Sequence, residues 1–354
     1  MAEPVRRIAI NTGGGDAPGL NATIRGVVLG AVDRGWEVIG IRDGYDGLFH
    51  EDGVIELDRD FVRDITAVGG TILGTTNRGN PFENGQADGI VARLRQLKVD
   101  VMVAVGGDGS LTIGHKLSQL GVPVIGVPKT IDNDLEHTDQ TPGFDTAVGF
   151  ATECIDRLVS TTTSHDRIMV IEVMGRTTGW IALYSGIAGA AHVVLIPEIP
   201  YDINVVARRV MERAARGQDY SIIVVAEGAK PIGGTETVVE GTKRLGGISQ
   251  RIAEELETLT GKEARYTNLG HLLRGGSPSA TDRLLGLRYG SEAVRAIADG
   301  KRNVMIALQR GEAVCVPLAE VANRARLVPA DDGALRTARA IGVCLGEQGV
   351  EIEP

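Results

Sequence analysis

Two short apolar runs, each ending in a glycine cluster that opens a helical pattern, constrain this chain more than any other feature. Residues 7–10 lead into Thr12-Gly13-Gly14-Gly15-Asp16-Ala17-Pro18-Gly19. Leu20, Ile24, Val27, Val28 and Ala31 then recur at helical spacing. Residues 101–105 run into Gly106-Gly107-Asp108-Gly109-Ser110, and a helix to Leu120 follows. Strands that are apolar throughout are covered on both faces, as in parallel sheets flanked by helices. Residues 38–41 and 122–127, the latter ending at Pro128-Lys129-Thr130-Ile131-Asp132-Asn133-Asp134, continue the alternation of βαβ units.

A second series starts near residue 143. Residues 144–158 read as a helix, 167–173 as a strand ending at Met174-Gly175-Arg176, and 193–196 and 222–226 as further buried strands. Residues 228–247 are glycine-rich and read as loop, and a helix with a short end segment follows Pro329. The pattern predicts an α/β protein of two Rossmann-like open parallel-sheet domains facing each other across a cleft that holds the active site. Ligands in such sheets bind outside the carboxyl ends of the strands, where the polar clusters of this chain fall.

Composition narrows the function classes. Of 354 residues, 48 are glycine, about twice ordinary usage, and no collagen-like period accounts for them. The surplus suits tight loops that expose backbone. With 43% hydrophobic and 23% charged residues the chain is that of a globular protein, and aromatics at 4% leave an aliphatic core. A net charge of −9 argues against a nucleic-acid platform. Cys154, Cys315 and Cys344 are odd in number and lack CxxC spacing, so a disulfide framework is not expected. Buried structural thiols in a reducing cytoplasm are. The first residues lack the apolar segment of a signal peptide, and no run approaches the roughly 18 apolar residues of a membrane span.

The polar clusters suggest phosphate chemistry. Glycine turns that open helices let backbone N–H groups approach an anion, and the helix start adds positive potential. Gly14 to Gly19 has the GxxxxG spacing of a Walker loop, but Leu20-Asn21 follows it, and neither turn fits GxGxxG. Asp108 is placed to hold Mg²⁺ through oxygen while phosphates complete the shell, or simply to cap a helix. Asp132 and Asp134 would share one side in extended backbone. One could orient the metal and the other take a proton from a hydroxyl nucleophile; an Asx-type turn is the plainer reading. Arg167, Arg176, Arg265 and Arg274 lie beside strand ends or glycine turns. With His271, in Leu269-Gly270-His271-Leu272-Leu273-Arg274, they read as a sugar-phosphate pocket. His115, His137, His165 and His192 lack zinc-ligand spacing.

Taken in order, Gly14 to Asn21, Gly106 to Ser110, Pro128 to Asp134, Ser164-His165-Asp166-Arg167, Glu172 to Arg176 and Leu269 to Pro278 resemble the phosphofructokinases over nearly the whole chain. The resemblance implies Mg²⁺-dependent phosphorylation of fructose 6-phosphate at its 1-hydroxyl, a step of glycolysis. It implies Asp132 as general base, Asp134 as its metal-orienting companion, Asp108 as the Mg²⁺ ligand, and Gly15, Arg78, Gly107, Asp108, Gly109 and Ser110 around ATP. Around the sugar phosphate it implies Thr130, Ile131, Asp132, Met174, Gly175, Arg176, Glu227, His271, Leu272, Leu273 and Arg274. Thr130 and Arg176 would serve catalysis as well, Arg176 by stabilising charge on the moving phosphoryl group. Arg167 and Arg265 would reach a neighbouring subunit's pocket, which implies a homotetramer or dimer with shared active sites. On this reading residues 1–142, rejoined by about 275–323, bind the phosphoryl donor and Mg²⁺. Residues 143–274, with the tail 324–354, bind the sugar phosphate.

Two positions bear on the donor. Gly109 resembles family members that use ATP, whereas aspartate, common there in pyrophosphate users, would repel the α-phosphate. Lys129 resembles the pyrophosphate users, but a flexible lysine can swing aside or bind the terminal phosphate. Gly109 therefore decides for ATP, and a pyrophosphate-dependent fructose 6-phosphate 1-phosphotransferase is the alternative. A non-catalytic sensor is disfavoured because Asp108, Asp132 and Asp134 are all present. Of the basic residues that line the effector site of regulated bacterial members, Arg25 remains. Leu29, Val159, Gln218 and Asp219 stand at the other matching positions, so control by ADP or phosphoenolpyruvate is expected to be weak or absent.

Overall fold

The computed structural model of this chain describes residues 5–76, 80–239, 241–242 and 244–349. It divides into two compact units, Met1–Thr146 with Arg274–Ala325, and Ala147–Leu273 with Arg326–Pro354. Unit 1 begins with β1 (Arg7–Thr12), α1 (Leu20–Val32), β2 (Glu37–Ile41), β3 (Val54–Glu56), α2 (Ala87–Gln96), β4 (Val101–Gly106), α3 (Asp108–Gln119) and β5 (Val124–Pro128). Helix α4 (Phe144–Ser164) carries the chain into unit 2. There follow β6 (Ile168–Val173), α5 (Trp180–Ala188), β7 (Val193–Leu195), α6 (Ile203–Ala215), β8 (Ser221–Ala226), α7 (Ile248–Thr260) and β9 (Ala264–Asn268). The chain then returns to unit 1 for α8 (Ala280–Ala298), β10 (Val304–Gln309), β11 (Glu312–Pro317) and α9 (Leu318–Val321), and ends in unit 2 with α10 (Gly333–Ala340).

The sheet of unit 1 runs β11-β10-β5-β4-β1-β2-β3. Its five central strands are parallel, as expected, but each edge strand is antiparallel to its neighbour. Alternation along β1 and β4 sends Ile8, Ile10, Val101, Val103 and Val105 to one face, against Leu20, Ile24 and Val28 of α1 and Tyr289 and Val294 of α8. Ala9, Met102 and Ala104 face the other side, against Ile90 and Leu94 of α2 and Leu111 of α3. Part of the glycine surplus serves this packing rather than loops. A Cβ on Gly26 of α1 would stand 2.5 Å from the Leu287 carbonyl oxygen, and one on Gly290 of α8 would stand 2.4 Å from that of Thr23. Glycine there lets the two helices approach backbone to backbone.

The sheet of unit 2 runs β7-β8-β6-β9 and is parallel throughout. Ile168, Val170, Ile223 and Val225 pack on Val206 and Val210 of α6 and Ile252 and Leu256 of α7. Strand β7 does not end in an open edge. Val194 N–H donates to the Cys344 carbonyl at 2.9 Å, and Cys344 N–H donates to that of His192 at 3.0 Å. Cys344 is the buried thiol that its sequence suggests, but Cys154 is half-buried and Cys315, on an edge strand, is exposed. No helix among the described residues is long and apolar enough to cross a membrane.

Candidate functional site

In unit 1 the chain leaves β1 first toward β2 on one side and later places β4 on the other, so the sheet order reverses at β1. A parallel sheet opens its ligand crevice at such a reversal. The two glycine turns emerge there side by side, with Gly13 N–H on the Val105 carbonyl at 2.9 Å and Gly14 N–H on that of Thr76 at 3.0 Å. Thr75 Oγ1 donates to the Gly14 carbonyl at 2.6 Å. Ser110 fills the floor, 2.3 Å from where a Cβ on Gly106 would stand. Asp108 opens α3 but does not cap it; Gly107 is the N-cap. Asp108 Oδ1 accepts from Asn323 N–H at 2.8 Å and from Thr112 Oγ1 at 3.3 Å, which fixes the carboxyl's direction. The described residues contain no group of three or more His, Cys, Asp or Glu able to hold a metal. A single, partly exposed carboxylate beside phosphate-ready turns suits Mg²⁺, which keeps several waters and takes its remaining ligands from substrate phosphate. Gly109 is exposed, and a Cβ there would meet nothing within 4 Å. Arg78 lies outside the described residues.

The turn after β5 sits beside these loops, because Lys129 N–H donates to the Gly106 carbonyl at 3.0 Å. Lys129 is not free to swing. It is 2% exposed, and its ammonium donates to the Gly13 carbonyl at 2.9 Å and to that of Gly15. Burial, then the Arg274 charge, lowers its pKa to about 8, against the pull of Asp16, Asp132 and Asp134. The segment carrying the two carboxylates is not extended as its spacing suggested. Asn133 adopts a left-handed φ of 53° and its Oδ1 accepts from Thr141 N–H at 3.1 Å, while Thr130 Oγ1 accepts from Asp132 N–H at 3.1 Å. The turn reading therefore holds, and it is compatible with two carboxylates presented together. The turn buries Asp132 and Asp134 at 2% and 6% exposure, beside Lys129. Arg274 completes the cluster. Its guanidinium lies 3.9 Å from Asp132, donates to the Asp16 carbonyl at 3.1 Å, and occupies the space a Cβ on Gly15 would need. The Ile131 side chain is fully buried, so only its main chain is available to a ligand.

In unit 2 the adjacent ends of β6, β8 and β9 carry the other candidate residues. Gly175 has φ 155° and Arg176 a left-handed φ of 53°. Glu227 Oε1 holds that bend by accepting from Gly175 and Arg176 N–H at 3.3 and 2.9 Å, leaving the Arg176 side chain exposed. Met174 is half-buried at the same bend. His271 and Leu272 are exposed, whereas the Leu273 side chain is buried. Arg167 and Arg265 share one carboxylate: Arg167 Nε donates to Glu263 Oε2 at 2.9 Å, and Arg265 pairs with Glu263 Oε1. Hydrogen bonding to Arg167 is the main cause that holds the Glu263 carboxyl below its usual range.

Sequence reading missed three supports of these loops, Thr75, Glu172 and Glu263. Glu172 left a trace, since it is the one charged residue in an otherwise apolar buried strand, where a carboxylate is retained only with partners. Thr75 and Glu263 have no such signature.

Known proteins carry the same plan. The family model described as Phosphofructokinase matches residues 7–297. The protein named ATP-dependent 6-phosphofructokinase from Chloroflexus aurantiacus is 50% identical, covering 98% of this chain and all of that one. The Pyrophosphate--fructose 6-phosphate 1-phosphotransferase of Amycolatopsis methanolica is 48% identical over 91% of this chain and 96% of its own. The crystal structure of Pichia pastoris phosphofructokinase in the T-state superposes with a TM-score of 0.83 at 31% identity, over 91% of this chain and 36% of that longer one. On the family match and the near full-length identities together, this chain belongs to the phosphofructokinase family.

Proposed function

We propose that this protein is an ATP-dependent 6-phosphofructokinase, passing the terminal phosphoryl group of MgATP to the 1-hydroxyl of fructose 6-phosphate. Its class, a kinase acting on an alcohol group, follows from the family. The observation that carries the assignment is the convergence, at the sheet reversal of unit 1, of two glycine turns with Asp108, Asp132, Asp134 and Arg274. The turns would receive the donor's phosphates on backbone N–H groups and the start of α3. Asp108 would hold Mg²⁺, which when bound neutralises charge on the phosphates. Asp132 would accept the hydroxyl proton, with the Arg274 guanidinium 3.9 Å from it. Asp134 would orient the metal-bound end, and Thr130 the alcohol. The residues at the strand ends of unit 2, Met174, Gly175, Arg176, Glu227 and His271, would take the sugar phosphate. Arg167 and Arg265, poised on Glu263, would serve a neighbouring subunit of a homotetramer or dimer in the cytoplasm.

ATP is favoured as donor because relatives named for ATP stand at 45–50% identity and because Gly109 leaves open space. Since a Cβ there meets no atom within 4 Å, Gly109→Asp is a suitable test of the donor. The assay supplies ATP and pyrophosphate separately with fructose 6-phosphate. The wild type should turn over ATP, and Gly109→Asp should depress ATP use far more than pyrophosphate use. Equal losses with both, or a wild type active with pyrophosphate alone, would overturn the donor assignment.

A further inference from the structure

We infer that Glu172 is a positioning residue for the sugar-phosphate half of the reaction: its buried carboxylate ties the end of β9, which leads into His271, to the end of β6, which leads into Arg176. The inference rests on the reading that His271 and Arg176 meet the sugar phosphate. Glu172 is 1% exposed, near the end of β6. Oε1 accepts from Asn268 Nδ2 at 2.6 Å and from Gly247 N–H at 3.1 Å. Oε2 accepts from Ser249 N–H at 3.0 Å and Ser249 Oγ at 2.8 Å. A buried carboxylate tolerates the loss of water only when such donors replace it, and the amide end of α7 adds favourable potential. Gly246 and Gly247 reach it through φ values of 141° and 88°.

The main chain repeats the connection. The Glu172 carbonyl accepts from Leu269 N–H at 3.0 Å, and the Val173 carbonyl from Glu227 N–H at 2.9 Å. Glu172 thus stands where the three implicated segments of unit 2 join: 174–176 by chain continuity, 227 through the next rung, and 269–271 through both its carbonyl and its carboxylate. The two sides of the carboxylate separate the roles. The Ser249 bonds secure a helix, and the Asn268 bond secures the strand that delivers His271.

Steady-state kinetics on the full-length enzyme, with thermal melts, test this through Asn268→Ala, Glu172→Gln and Ser249→Ala. A ligand contact displaced by a fraction of an ångström loses roughly tenfold or more. Asn268→Ala and Glu172→Gln should raise KM for fructose 6-phosphate by about that factor, with KM for ATP within about twofold. Their effects on that KM should not add, because both cut one tie. Ser249→Ala should lower Tm and leave both KM values in place. The inference is overturned if Asn268→Ala lowers Tm yet leaves the sugar-phosphate KM unchanged, or if both KM values rise alike. Wild-type turnover is measured first. Should it prefer another donor or sugar phosphate, the functional reading fails, and the same variants are compared on the preferred substrate, where the brace stands or falls by itself.

Discussion

Asp132 and Lys129 lie three residues apart, and their neighbours give them opposite work. Asp132 faces Arg274 and, on the proposed reading, would be the base for the alcohol proton. Replacing it by Asn keeps its shape and removes its basicity, so kcat should fall by about 10²–10⁴ with both KM values nearly unchanged. An Asp132→Asn enzyme that kept wild-type kcat would sink the assignment. Lys129 reads in sequence as a mobile cation that chooses between donors. In the fold its ammonium is buried beneath the first glycine turn, held on two carbonyls. Lys129→Met should strand those carbonyls and loosen the turn, lowering kcat with ATP and with pyrophosphate by similar factors, about tenfold or more. A change in donor preference without a loss of rate would show that the lysine touches phosphate instead. The identity of every residue in this cluster was legible, because glycine before a helix and carboxylate after a strand leave plain signatures. What Lys129 does was not, because a buried ammonium and a solvated one have the same sequence.

Elements show the same division. The parallel strands β1, β4, β5, β6 and β8 were readable as largely apolar runs, since helices cover both of their faces. The β10–β11 hairpin was not. Its turn is Arg310-Gly311, both with positive φ, where an Asn-Gly or Asp-Gly pair would have announced it. β9 was missed because its residues Arg265, Tyr266 and Asn268 are exposed and interrupt any apolar run. Beside β7, His192 Nδ1 accepts from Ile222 N–H at 2.9 Å, and burial followed by the Arg213 and Arg209 charges lowers its pKa to about 4. The folded state therefore refuses a proton that the unfolded chain takes below about pH 6.5. This group's contribution is complete above that pH and is lost as pH falls toward 4, costing on the order of 1–3 kcal/mol. His192→Asn, whose Oδ1 can accept the same bond, should flatten the acid side of the Tm profile between pH 6.5 and 4. An unchanged slope would remove His192 from the acid sensitivity of unit 2.

At the scale of the whole molecule, regulation and assembly order are at issue. Of the positions that match the effector site of regulated relatives, Arg25 alone carries a cation here. Gln218 accepts from Arg213 at 2.7 Å and Asp219 pairs with Lys262 at 3.6 Å, both inside unit 2. Saturation with fructose 6-phosphate should remain hyperbolic, and millimolar phosphoenolpyruvate should not make it sigmoidal. A large shift at physiological salt would show an effector site built from other residues. The division into two units was legible as two series of strands; the rejoining of about 275–323 to the first unit was an expectation drawn from the family resemblance, since periodicity alone does not record the interleaving of α8 and the β10–β11 hairpin with unit 1.

The rung between β7 and Cys344 has a consequence for biosynthesis. About 150 residues of chain separate its two sides, and they emerge from the ribosome in that order. Until the later stretch is translated, nascent β7 offers bare amides and carbonyls to any passing strand, the situation that chaperones shield and that crowding punishes. Nonsense or frameshift lesions just upstream of Cys344 should therefore yield inclusion bodies, even though every residue discussed for catalysis has already been made.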